Sequence, residues 1–173
     1  MICQIRLENK LLNGNITDEQ ARAADARMIL AVHDETADQP LMKKALASQV
    51  NPDFKFELRH VEEAIRLLKD PRAKTLSVMI ICKCPQDILT FVRAFPDLTV
   101  VVGKYKSKSE TTIKLSDHWI ITKEEKPLFD QIAASAKLIH QLLPTRPQLS
   151  YLSLLEKATH VTGGIDYDST ITN

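Results

Sequence analysis

A turn between positions 13 and 17 carries the residues best suited to chemistry. The apolar run Ile2–Leu7 predicts a strand, and Asn13-Gly14-Asn15 follows it as a turn, since Asn-Gly is a common pair where the backbone takes positive φ. Thr17-Asp18-Glu19-Gln20 matches a capping box, which predicts a helix that begins at Thr17. A strand that leads through a turn into a helix presents free backbone N–H groups, and such groups bind anions. The predicted anion site comprises Gly14, Asn15, Ile16 and Thr17; the alternative is a plain turn without a ligand.

Acidic and imidazole side chains follow a second apolar run, Met28–Val32. His33, Asp34 and Glu35 stand where that predicted strand ends. Because neither a His-x-x-x-His pattern nor a carboxylate cluster accompanies them, helix capping by Asp34 is favoured over a metal site. His33 is expected to hydrogen-bond to Asp34 or to a backbone carbonyl. The other histidines are predicted to be structural or surface groups: His60, His118, His140 and His160.

A basic segment, Lys104 to Lys108, follows the fifth predicted strand. It has two interpretations, an anion clamp that leans over the crevice or a solvated surface loop. Its single aromatic residue, Tyr105, offers too little stacking surface for a nucleic-acid platform. A Rossmann dinucleotide site is also disfavoured, because the first loop has one glycine where that fingerprint needs three.

The composition suits one globular domain. The chain has 173 residues, 44% hydrophobic and 26% charged, which is enough to bury a full core. Its formal net charge of +1 gives no field that favours nucleic acid or a membrane surface. Cys3, Cys82 and Cys84 lie in apolar runs and are expected to be buried thiols in a reducing compartment. With no basic leader and no run of membrane-spanning length, we expect a cytoplasmic protein that needs no metal or cofactor.

Strand-then-helix units recur along the first part of the chain. Continuous apolar runs are typical of strands covered on both faces, whereas the alternation of Phe54, Phe56 and Leu58 indicates a strand near an edge. The fully covered strands are predicted at Ile2–Leu7, Met28–Val32, Leu76–Cys82 and Leu98–Val102. Helices are predicted from Thr17 to about Ala26, from Asp38 to about Ser48, from Val61 to Leu68 and from Pro85 onward. The fold class is therefore α/β, a single doubly wound, mostly parallel sheet with helices on both faces.

The pattern changes after Gly103. The alternation of Thr111, Ile113 and Leu115, followed by Trp119-Ile120-Ile121, predicts a hairpin that forms a late antiparallel edge of the sheet. The remaining predicted elements are a helix capped at Thr122–Glu125, a strand Leu138–Leu143 and a helix Tyr151–Lys157 capped by Ser150. The predicted domain covers residues 1–157, and residues 158–173 are expected to be a polar, poorly ordered tail.

Three segments resemble the IIB subunits of the mannose/fructose/sorbose family of the sugar phosphotransferase system (PTS). Arg6 to Ile16 aligns without gaps with the family's Arg-Ile-Asp-Asp-Arg-Leu-Ile-His-Gly-Gln-Val. Val32–Ala37 is similar to its Val-Asn-Asp-Glu-Val-Ala-like run, and Cys84–Leu89 to its Asn-Pro-x-Asp-x-Leu. The resemblance spans about residues 1–157 and rests on the order of these segments as much as on any one motif.

The resemblance implies a phosphoryl relay and also marks a departure from it. Family members take phosphate from a phosphohistidine of a IIA phosphocarrier protein and pass it to a sugar that enters through membrane IIC/IID subunits. Their acceptor histidine corresponds to Asn13, whose carboxamide nitrogen is not a nucleophile. Lys10 replaces a family arginine and keeps its positive charge for the anion site. His33 replaces a family asparagine, so a transfer of the acceptor role to His33 is an alternative to its hydrogen-bonding role.

Three hypotheses follow for function. The chain is a IIB component of a sugar PTS, with IIA, IIC/IID and a sugar or phosphate group as partners and a homodimer left open. Alternatively, it is a phosphorylation-dead IIB-like protein with a degenerate active site that binds a IIA partner or a regulator. The third alternative is an engineered or drifted sequence without a retained ligand.

Overall fold

The computed structural model describes residues 1–162, in which strands and helices alternate. The strands are β1 Ile2–Leu7, β2 Met28–Val32, β3 Lys55–Arg59, β4 Val78–Cys82, β5 Thr99–Val102, β6 Tyr105–Lys106, β7 Thr111–Ser116, β8 Trp119–Thr122, β9 Lys137–His140, β10 Leu149–Ser150 and β11 Thr159–Thr162. The helices are α1 Gly14–Ala23, α2 Asp34–Ala37, α3 Pro40–Gln49, α4 Val61–Lys69, α5 Pro85–Ala94, α6 Lys126–Ser135 and α7 Tyr151–Glu156, with a 3₁₀ turn at Pro71–Thr75.

The main sheet has seven strands in the order β10-β9-β5-β1-β4-β2-β3. All neighbouring pairs from β9 to β3 are parallel, and β10 adds an antiparallel edge next to β9. The four strands with continuous apolar runs are adjacent at the centre, and β3 lies at the edge, as the sequence predicts. The predicted α/β class with a mostly parallel sheet is therefore confirmed.

Two hydrophobic clusters cover the faces of this sheet. On one face, Ile5, Leu30 and Ile80 pack with residues of α4, α5, α6 and α7. On the other face, Ile29 and Ile81 pack with residues of α1 and α3. Because alternate side chains of each central strand enter different clusters, both faces are apolar and the runs contain few polar residues.

The late hairpin does not extend the main sheet, so that part of the prediction is wrong. β7 and β8 pair antiparallel, and together with β6 and β11 they form a separate four-stranded sheet in the order β11-β7-β8-β6. Trp119 is fully buried, with its ring centroid 5.6 Å from that of Phe129 and 5.5 Å from that of Tyr151. The apolar face of the hairpin is therefore covered by aromatic side chains of α6 and α7, while β10 occupies the edge of the main sheet.

Helix starts differ from the predictions at two positions. α1 begins at Gly14 rather than at Thr17. The helix predicted from Asp38 begins at Pro40 as α3, and a short helix that was not predicted, α2, precedes it and is capped by His33. Asp38 is the C-cap residue that follows α2. The helix N-cap at Ser150 is confirmed, since its hydroxyl accepts a hydrogen bond of 3.1 Å from the N–H of Ser153.

The segment predicted as a tail includes one strand. The backbone of Thr159–Thr162 pairs with β7, and residues 163–173 lie outside the described residues. The boundary predicted between the domain and the tail stays a prediction. Cys82 is buried, whereas Cys3 and Cys84 are partly exposed. Within residues 1–162, no helix is long and apolar enough to cross a membrane.

Candidate functional site

A crevice opens where β1 and β5 end side by side. It encloses a cavity of about 200 Å³, and a neighbouring cavity of about 110 Å³ shares four of its residues, Glu8, Lys10, Asn13 and Lys104. The larger cavity is also lined by residues of the β1–α1 loop, α1, β4, the β7–β8 turn and the segment after β9: Leu11, Ile16, Thr17, Gln20, Ile81, His118, Leu142 and Leu143. The crevice thus lies at the carboxyl ends of the strands, where open α/β sheets bind their ligands.

The loop between β1 and α1 forms one wall of the crevice. Gly14 has φ of +49° and begins the helix, which is the positive φ that its sequence suggests. The hydroxyl of Thr17 accepts a hydrogen bond of 2.7 Å from the N–H of Asn13, so Thr17 stabilises the loop from inside the helix. The predicted capping box is wrong, because the side chain of Gln20 bonds to residues that are distant in the sequence instead of to the start of the helix. Its amide donates to the Leu142 carbonyl at 3.1 Å and to Glu8 at 3.5 Å.

Positive charge and free amides meet at this wall. The N–H groups at the start of a helix have no partner within it and carry part of the helix dipole. Those of Gly14 and Asn15, both exposed, follow directly after Asn13, which lines both cavities. The N–H of Ile16 is used differently, since it donates to the Asn13 carbonyl at 3.1 Å. Lys10 and Lys104 are exposed and line both cavities. Of the two interpretations of the basic segment, Lys104 fits the clamp, whereas Tyr105 is buried in the core.

Glu8 places a carboxylate beside these lysines, but its charge is matched. Glu8 Oε1 lies 3.0 Å from the guanidinium of the almost fully buried Arg6, and Oε2 accepts a hydrogen bond of 2.8 Å from the N–H of Lys104. Burial raises the pKa of the Glu8 carboxyl, and Arg6 and the Lys104 amide oppose that rise. Within residues 1–162 neither Lys10 nor Lys104 forms an ion pair, so the charge available to a ligand is positive.

His33 and Asp34 stabilise helices away from this wall. His33 Nδ1 lies 2.6 Å from the hydroxyl of Thr36 and accepts a longer hydrogen bond from its N–H, so the predicted hydrogen bond has a different partner. Asp34 accepts a hydrogen bond of 2.9 Å from the N–H of Val61 and thereby caps α4. The predicted capping role of Asp34 is thus present, although the helix is not the next one along the chain.

His118 is the residue that sequence reasoning missed. It follows Asp117 in the β7–β8 turn and lines the crevice with Asn13, Lys10 and Lys104. The alternation that predicts the hairpin identifies its turn, but the direction in which that turn points depends on the separate second sheet. Two histidines remain where a structural or surface role was expected, His60 beside Asp38 and His140 in β9. For His160, whose backbone lies in β11, that role stays a prediction.

A mostly parallel sheet with helices on both faces, and a crevice lined by two lysines at the carboxyl ends of its strands, defines an open α/β protein. Residues 2–163 match the family model for the sorbose subfamily IIB component of the PTS, and the chain belongs to this family. The resemblance inferred from the three sequence segments is confirmed. Members of this family interact in general with IIA and membrane IIC/IID components.

Known relatives and solved structures agree with this assignment. A probable phosphotransferase enzyme IIB component of Streptococcus pyogenes serotype M6 is 27% identical over 161 residues, which are 88% of this chain and 99% of the relative. The IIBSor domain of the sorbose permease from Klebsiella pneumoniae has a TM-score of 0.83 at 19% identity, covering 91% of this chain and 97% of that domain. The N-acetylgalactosamine-specific IIB component 1 from Escherichia coli has a TM-score of 0.76 at 19% identity, covering 87% and 99%. At these identities the solved structures show a shared fold.

Proposed function

We propose that this chain is a phosphoryl-relay IIB component that holds the phosphoryl group in the crevice between Lys10, Lys104 and the start of α1. The observation that carries the proposal is that two lysines without an ion pair among the described residues line one cavity together with Asn13, the N-cap of α1, and with Ile16 and Thr17 of its first turn. Fixed donors aimed at an anion stabilise the negative charge of a phosphoryl group in transfer. The donor would be a IIA phosphohistidine, and the final acceptor a sugar that enters through IIC/IID.

Each contact has a defined role in this proposal. The N–H groups of Gly14 and Asn15 would hold phosphoryl oxygens, and Thr17 would keep the loop in place through its bond to the Asn13 N–H. Ile16 would contribute a wall of the crevice rather than an amide, because its N–H is already used by Asn13. Lys10 would act as a point charge, without the bidentate fork of an arginine.

A titration with inorganic phosphate tests the binding part of the proposal. In amide NMR spectra, the signals of Gly14 and Asn15 should shift in a saturable way, and Lys10→Gln or Lys104→Gln should weaken the binding several-fold. Lys137→Gln is the matched control, because Lys137 is exposed and begins β9 at the opposite end of the strand. Shifts spread evenly over the surface, or an equal effect of all three variants, would contradict a site in the crevice.

The transfer part needs a separate measurement. Incubation with phosphoenolpyruvate and the upstream carriers, followed by intact mass at neutral pH, should show a gain of one phosphoryl group. The second candidate, a IIB-like protein that binds its partner without phosphorylation, is favoured by Asn13 alone. It predicts an unchanged mass together with retained binding to the IIA protein.

A further inference from the structure

We propose that His118 is the phosphoryl acceptor of this chain, in place of the histidine that Asn13 replaces. This inference rests on the proposed phosphoryl relay. His118 and Asn13 are far apart in the sequence but line one cavity in the structure. His118 comes from the β7–β8 turn of the second sheet, yet it lines the same cavity as Asn13 and the two lysines.

The backbone of His118 is held in place on both sides. Its N–H donates a hydrogen bond of 3.2 Å to the hydroxyl of Ser116, and its carbonyl accepts one of 2.9 Å from the N–H of Tyr105. The next residue, Trp119, is fully buried in the aromatic cluster. The ring of His118 is therefore carried by a fixed turn. A phosphoryl acceptor needs such a fixed position, because the attack depends on a defined geometry between the reacting atoms.

A buried chain of hydrogen bonds extends this support into the main sheet. His140 Nδ1 lies 2.8 Å from the carbonyl of Val102, which can only accept, so Nδ1 carries the proton. His140 Nε2 therefore accepts from the hydroxyl of Ser116 at 2.9 Å, and that same oxygen receives the N–H of His118. The position of the turn is thus linked to the end of β5, the strand that borders the crevice.

The two nitrogens of the His118 ring have different surroundings. Nδ1 is shielded from solvent and has no hydrogen-bond partner among the described residues, while the side chain as a whole is partly exposed. Nε2 is consequently the nitrogen that we assign to the attack. His33 lacks this arrangement, since its Nδ1 is bonded to Thr36 at the start of α2.

The proposed step exchanges one P–N bond for another. The lone pair of His118 Nε2 attacks the phosphorus of the IIA phosphohistidine, and a P–N bond forms. The P–N bond of the donor breaks, and its electron pair returns to the donor imidazole, which takes up one proton. The His118 ring keeps its proton on the shielded Nδ1 and is positively charged after the transfer, so the balanced exchange takes up one proton from solvent, the one that goes to the donor imidazole. Lys10, Lys104 and the amides of Gly14 and Asn15 face the phosphoryl oxygens, and the Asn13 carboxamide can donate to one of them.

The test uses a radiolabelled phospho-IIA protein that phosphorylates another family member. We expect label on the wild-type chain, loss of the label to background in both His118→Ala and His118→Gln, and retention in His33→Ala and His60→Ala. Fragmentation at neutral pH should place the phosphoryl group on the peptide that contains His118. Far-UV circular dichroism and the melting temperature check that the variants are folded, and His118→Gln keeps a polar side chain of similar length in the turn.

The outcomes separate this inference from the proposed function. A labelled wild type whose label survives His118→Ala would overturn the inference and leave the relay intact. An unlabelled wild type, with a donor that labels another family member, would overturn the inference and the transfer function together. If phosphate still shifts Gly14 and Asn15 in that case, the crevice binds anions without accepting a phosphoryl group.

Discussion

The carboxylate of Glu8 fills the space above Gly103, where a side chain would otherwise stand. A Cβ atom on Gly103 would collide with both carboxylate oxygens of Glu8, which are held by Arg6 and by the N–H of Lys104. This contact joins the ends of β1 and β5 and fixes the floor of the crevice. Glycine is required here for space, since its backbone does not take positive φ.

Gly103→Ala should destabilise the protein by about 1–3 kcal/mol, because an added methyl group must displace a buried ion pair or strain the strand end. Chemical denaturation gives the free energy of unfolding. Gly14→Ala is a useful comparison, since no atom lies near its Cβ position and its cost arises from backbone conformation alone. In a Glu8→Gln background the cost of Gly103→Ala should change, and strict additivity would contradict direct contact.

Ile80→Ala should lower the free energy of unfolding by about 2–5 kcal/mol, because Ile80 is fully buried between neighbouring central strands. Leu41→Ala offers a control on α3, where the side chain is 84% exposed and should contribute within about 0.5 kcal/mol. Urea unfolding of both variants makes the comparison. A loss below about 1 kcal/mol for Ile80→Ala would mean that β4 is not at the centre of the sheet.

Asn13→His should accept a phosphoryl group from a cognate phospho-IIA protein at the family's position. A histidine in this loop, with an ordinary pKa near 6.5, would be largely neutral and nucleophilic at pH 7, beside Lys10 and the first amides of α1. The variant is best made in a His118→Ala background, so that label reports on position 13 alone. Absence of label with an active donor would mean that the loop has lost the transfer geometry.

The pKa values of two histidines should be shifted in opposite directions from the ordinary value. Hydrogen bonds to the carboxylates of Asp38 and Glu63 raise the pKa of His60, whereas burial lowers the pKa of His140. The contribution of His60 to stability is therefore full below about pH 6.5 and is lost as the pH rises through its folded-state pKa. The contribution of His140 is full above about pH 6.5 and declines as the pH falls towards its lower folded-state pKa.

Ring signals in NMR spectra recorded across this pH range give both folded-state values. In urea, both rings should return to about 6.5. A His140 that titrates at or above His60 would contradict the buried neutral ring that bonds to Val102 and Ser116.

The sequence by itself determines the centre of the fold. β1, β2, β4 and β5 are recognisable because strands buried on both faces must be apolar at every position, and that requirement is local. The edge position of β3 can also be predicted from the sequence, since alternating apolar and polar residues indicate a strand with one exposed face. The turn at Asn13 and Gly14 is identified for the same reason, because positive φ selects a few residue types.

Tertiary structure alone decides how these elements meet. Thr17 and Gln20 match a capping box, yet their side chains bond to the Asn13 N–H and to Leu142 and Glu8, partners that a local pattern cannot reveal. The hairpin belongs to a second sheet and packs Trp119 against Phe129 of α6 and Tyr151 of α7, contacts that the alternation of its residues does not show. That packing turns His118 into the crevice beside Asn13, a proximity set by the folding of one sheet against another.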